Sequence, residues 1–162
     1  MAVKISRRTL ATVCAAAIVI TACTTGQASP VPASAGPTAA AGTVQVTLQE
    51  WAVLPVPAST PAGDVTFQVT NTGPADVHEL VIVKTDLDPT ALPTDDAGKV
   101  AEGGSGMEVI DEIEDIAVGQ TEELKVTLDA GKYVLLCNIY DETEKEAHYQ
   151  MGMRIAFEVT GG

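Results

Sequence analysis

Beyond residue 43, apolar and polar residues alternate with a period of two in short runs. Val44, Val46 and Leu48 alternate with polar residues and predict a strand over 43–50, with Trp51 continuing the core. Val65, Phe67 and Val69 predict a second strand over 64–70, ended by the turn Asn71-Thr72-Gly73-Pro74. Between them Pro55, Pro57 and Pro61 break the chain, and Ala62-Gly63 reads as a turn. His78 to Lys84 is almost continuously β-forming, the mark of a strand buried on both faces. Further strands are expected over 108–116, 121–128, 132–138 and 153–160, with turns at Val118-Gly119 and Asp129-Ala130-Gly131. No long helical period and no internal repeat interrupts this pattern. It predicts an all-β, antiparallel sandwich of about seven to eight strands.

Two stretches fall outside the alternation. Residues 85–107 carry Pro89, Pro93 and four glycines and predict a long loop, with one helical turn near 90–92 or 96–100. Its Asp86, Asp88, Asp95 and Asp96 lack EF-hand spacing and read as a solvated loop. The first 42 residues do not read as fold. Lys4, Arg7 and Arg8 precede an apolar stretch from Leu10 to Ile20, of secretory length and short for a membrane span. Ile20-Thr21-Ala22-Cys23 resembles a bacterial lipobox, which implies a signal peptide over 1–22 and lipidation of Cys23. Cleavage near Ala22 or Ala28 is the plain alternative. Ser6-Arg7-Arg8-Thr9-Leu10 also looks like a twin-arginine export signal, and a Sec signal reads equally well. Residues 23–42, rich in Ala, Pro, Ser and Thr, read as a disordered tether to a domain over 43–162. The expectation is an exported, lipid-anchored monomer facing the periplasm or the cell exterior.

Charge narrows the function. The formal net charge is −13, and the leader holds three of the nine basic residues, so the domain is more acidic still. No basic face is left to meet phosphates, which argues against nucleic acid. A basic protein partner, or solubility alone, fits the charge. Of three cysteines, Cys14 and Cys23 belong to the leader, and Cys137 is alone in the domain. A solitary cysteine in an exported domain is a reactive thiol, a metal ligand or a buried core thiol.

The chemistry converges on residues 133–153. A strand delivers Cys137, and His148 and Met153 follow. Thiolate, imidazole and thioether form a soft ligand set that suits copper. A second imidazole must come from the chain's other histidine, His78. Met151 rivals Met153, and Met153 also reads as plain core before Ile155 and Phe157.

Three segments resemble the plastocyanin/azurin family, the cupredoxins, over about residues 43–160. They are Asn71-Thr72-Gly73 leading to His78, the strand Gly131-Lys132-Tyr133-Val134-Leu135-Leu136-Cys137, and His148-Tyr149-Gln150-Met151-Gly152-Met153. The resemblance implies a Greek-key sandwich and one copper ion on His78, Cys137, His148 and Met153. It also implies that His148 lies nearest solvent as the electron exit. One departure stands out: ten residues separate Cys137 from His148, where the family commonly has two to four. That loop is expected to form a helical turn with an Asp141–Lys145 pair.

The functional expectation is an electron carrier that docks a redox protein, such as a cytochrome or an oxidase, through Asp141, Glu142, Glu144 and Glu146. A Cu(I)-delivery protein using Met107, Met151, Met153 and Cys137 is the alternative, and a metal-free sandwich is a third. A copper enzyme with a second centre needs more histidines than the two present.

Overall fold

The computed structural model describes residues 42–161. The expected signal peptide, Cys23 and all but the last residue of the tether lie outside the described residues. Eleven strands and one short helix follow one another along the described chain. One sheet contains β1 (Gly42–Gln49), β2 (Ala52–Val56), β4 (Gly63–Asn71) and β7 (Thr121–Leu128), in the order β2-β1-β4-β7. The other contains β3 (Ser59–Pro61), β5 (His78–Thr85), β6 (Met107–Ile116), β8 (Gly131–Leu136) and β11 (Arg154–Thr160), in the order β3-β11-β8-β5-β6. A two-stranded ribbon pairs β9 (Tyr140–Asp141) with β10 (Glu146–Ala147), and α1 (His148–Met151) follows it.

The predicted strands are all present, within two residues at each end. The sandwich is as expected, but its sheets are mixed rather than antiparallel throughout. β1 runs parallel to β4, and β3 runs parallel to β11. The alternation of the sequence does its work between the sheets. Val44, Val46, Leu48, Val65, Phe67 and Val69 from one sheet meet Leu80, Ile82, Tyr133, Leu135, Phe157 and Val159 from the other in one buried cluster. The alternate residues of β5 and β8, Val81, Val83, Val134 and Leu136, point the opposite way. There Leu92 and Val100 of the long loop cover them. β5 and the core of β8 are therefore buried on both faces, which is why their sequences do not alternate in polarity.

That loop, residues 86–106, forms turns and an isolated bridge between Thr94 and Val100, with no helical turn. It is held from the functional end of the domain. Tyr149 Oη donates to the Pro89 carbonyl at 2.7 Å and accepts from the Leu92 N–H at 3.1 Å. Asn138 accepts from the Val100 N–H at 2.6 Å and donates to the Val100 carbonyl at 3.0 Å. The helical turn expected between Cys137 and His148 is replaced by the β9–β10 hairpin. Its turn is closed by Asp141, whose Oδ1 accepts the N–H groups of Thr143 at 2.6 Å and Glu144 at 2.9 Å. Lys145 pairs with Glu142 at 2.8 Å and not with Asp141.

Candidate metal centre

Strand period places Cys137. Tyr133 and Leu135 face the sandwich interior, and Cys137, one step beyond β8, points the same way. The β8–β11 register pairs Arg154 with Leu136. Its next step sets Met153 opposite Cys137, whose N–H donates to the Met153 carbonyl at 3.0 Å. Cross-strand neighbours share a face, and Met153 and Cys137 lie in the same fully buried cluster. Met151, the rival thioether, is 41% exposed.

His78 opens β5, where the buried side chain of Asn71 shapes the approach. Asn71 donates to the carbonyls of Asp76 and Ile116 and accepts the N–H of Gly73, each at 2.8 Å. His148 opens α1 directly after the hairpin, and its N–H donates to the Ile139 carbonyl at 2.9 Å. These placements aim three donors at one point. Nδ1 of His78 lies 3.3 Å from Nδ1 of His148, and Cys137 Sγ lies 3.3 Å from His148 Nδ1 and 3.9 Å from His78 Nδ1. Among the described residues, His78, Cys137 and His148 form a group able to hold a metal ion, and all three are buried.

The electrostatics suit a bound cation. Burial lowers both histidines below their ordinary value, assisted at His78 by His148, so both imidazoles are neutral ligands at neutral pH. Asp76, Asp141, Glu146 and Glu50 act on His148 in the opposite sense. Burial pushes the Cys137 thiol up to about 12, against hydrogen bonds from the backbone of Glu79 and Ile139. Such a thiol becomes a thiolate only when a metal replaces its proton. The Glu79 N–H approaches Sγ at 3.4 Å, and the Glu79 carboxylate accepts the Asn138 N–H at 2.7 Å. Burial raises that carboxyl to about 7, with the Asn138 N–H opposing.

Two residues that sequence reasoning did not assign to the site close it from the β1–β2 turn. Trp51 sets its ring edgewise to His148 at 5.0 Å between centroids and to His78 at 6.4 Å. Glu50 Oε1 accepts the N–H groups of Ala75 at 3.0 Å and Asp76 at 2.7 Å, and lies 3.8 Å from His78 Nε2. Gly152, at φ 126°, admits this turn, because a Cβ there would stand 3.1 Å from the Trp51 carbonyl. Their only sequence signal was an acid and an aromatic directly after an alternating strand. His148 is 1% exposed, so it does not reach solvent as expected. Of the expected docking acids, Glu142 and Glu144 are exposed, and Asp141 and Glu146 are partly so.

No protein-family model matches the chain, and no curated protein matches it in sequence. Solved structures do match. An auracyanin from the photosynthetic bacterium Roseiflexus castenholzii, reduced with sodium dithionite, aligns with a TM-score of 0.52 at 24% identity, over 74% of this chain and 98% of that one. Auracyanin B aligns with a TM-score of 0.53 at 21% identity, over 74% of this chain and 89% of that one. The chain has the fold of these proteins, which are cupredoxins.

Proposed function

We propose that the protein is a one-electron carrier that holds a single copper ion on His78, Cys137, His148 and Met153. The observation that carries this reading is the convergence of two imidazoles and a thiol in a dry end of the sandwich. The donor set fits the ion. Neutral imidazoles, a thiolate and a thioether are the ligands that copper accepts in both oxidation states. Bound there, copper supplies reversible one-electron chemistry. The chain's own residues supply the rest. The donors come from the start of β5, the residue after β8, the start of α1 and the residue before β11, held by the hydrogen bonds described above. A site so held needs little movement when its charge changes. Trp51 and the surrounding core keep water from the imidazoles.

The reading extends to an exported protein anchored through a lipid on Cys23, facing the periplasm or the cell exterior. Its partner is a basic redox protein, such as a cytochrome or an oxidase, met through Asp141, Glu142, Glu144 and Glu146. Delivery of Cu(I) drew on a flexible loop and extra methionines. The paired β9–β10 hairpin and the packing of Met107 against the outer-face cluster favour the carrier instead.

The test is to add one equivalent of Cu(II) to the purified protein and record visible absorption and electron paramagnetic resonance. An intense thiolate-to-copper band with narrow hyperfine splitting is expected. Bleaching with retained Cu(I) and no reversible redox wave would move the assignment to delivery. Copper binding no tighter than in Cys137→Ala would overturn both.

A further inference from the structure

We propose that Glu50 is a positioning residue for the metal site: its carboxylate takes the Nε2–H of His78 and fixes that imidazole with Nδ1 toward Cys137 and His148. The proposal rests on the copper reading above and adds a residue to it.

The argument begins with the ring's two nitrogens. Nδ1 of His78 faces the other donors, at 3.3 Å from His148 Nδ1 and 3.9 Å from Cys137 Sγ. An imidazole that offers Nδ1 to a cation carries its proton on Nε2. That atom is buried and has no hydrogen-bond partner. Oε2 of Glu50 is likewise buried and without a partner, and Oε1 of the same carboxylate lies 3.8 Å from Nε2. Two orphaned polar groups of opposite character thus sit side by side, where each would otherwise be left unsatisfied. A carboxylate behind a ligating histidine is a recurring arrangement that sets the tautomer and strengthens the ligand.

Glu50 is itself held in place. Its Oε1 accepts the N–H groups of Ala75 and Asp76, in the turn that leads into His78. One carboxylate therefore ties the β1–β2 turn to the segment carrying the ligand. Its charge beside the site favours the more positive oxidation state of a bound metal.

Glu50→Gln keeps an oxygen for the Ala75 and Asp76 N–H groups and removes the charge. In that variant Cu(II) affinity should fall about tenfold or more, with a smaller loss for Cu(I). Each tenfold difference between the two states raises the reduction potential by about 59 mV. A second measurement uses no copper. Long-range ¹⁵N–¹H spectra of the metal-free protein should show His78 as the Nε2–H tautomer in the wild type and mixed tautomers in Glu50→Ala. Unchanged potential in Glu50→Gln together with an unchanged tautomer in Glu50→Ala would overturn the proposal. A tautomer that depends on Glu50 in a protein giving no thiolate–copper band would support the contact and sink the copper reading instead.

Discussion

Asn71 shows how one side chain prepares the site. Its side chain is fully buried and both of its polar atoms are engaged, tying the partly exposed turn that precedes His78 to the end of β6. Asn71→Ala leaves two carbonyls and an N–H without partners, and chemical denaturation should show a loss of about 3 kcal/mol. The methionines test the ligand assignment at the same scale. Met153→Leu keeps the apolar volume and removes the sulfur, so it should shift the copper spectrum and potential while the fold persists. Met151→Leu, at an exposed position, should change neither. The residues of the proposed copper site stood out in the sequence because histidine, cysteine and methionine are scarce in the domain, and His78, Cys137 and Met153 fell at the ends of predicted strands. Glu50, Trp51, Asn138 and Tyr149 were not assigned to the site for the opposite reason. Glu50 meets Ala75 and Asp76, 25 and 26 residues away. Asn138 meets Val100, 38 residues away. No local pattern announces such a contact.

At the scale of elements, the pattern of apolar residues located the seven longest strands, β1, β4, β5, β6, β7, β8 and β11. It missed β2 and β3 because prolines stand in both. Proline removes a donor, which an edge strand tolerates on its free side, and β2 and β3 are both edge strands. The β9–β10 hairpin was missed because its strands are two residues long and its charges suggested helical pairing. Asp141 holds that hairpin's turn. The N–H groups of Glu144 and Thr143 keep its carboxyl below the ordinary value. A depressed carboxylate contributes order above its unfolded value and loses it as pH falls through the folded one. The protection of the Thr143 and Glu144 amides, taken as exchange relative to the intrinsic rate at each pH, should therefore fall on acidification below the ordinary aspartate range. Their exchange should quicken several-fold at neutral pH in Asp141→Ala. Equal exchange in the variant and the wild type would show that the turn closes without Asp141.

For the whole molecule, sheet edges and charge decide what it meets. β2 carries Pro55 and β3 carries Pro61, while the outer strands β6 and β7 expose Glu108, Asp111, Glu112, Glu122 and Glu123. Prolines and charges on free edges discourage strand pairing between copies. Sedimentation should find a monomer at high concentration. On the proposed function, the same acidity should steer a basic partner. Replacing Asp141, Glu142, Glu144 and Glu146 by their amides should slow electron transfer to that partner about tenfold at low salt, and much less at high salt. Unchanged rates would remove docking from this face. The indole over the two imidazoles bears on life in air. Small anions such as azide must bind a metal to act on it, and dioxygen reacts faster where it can approach closely; Trp51 packs edgewise against both imidazoles. The reduced protein should persist in aerated buffer and leak little superoxide, so that its electron waits for a macromolecule rather than a dissolved gas. Trp51→Ala would forfeit that patience, seen as rapid reoxidation on exposure to air.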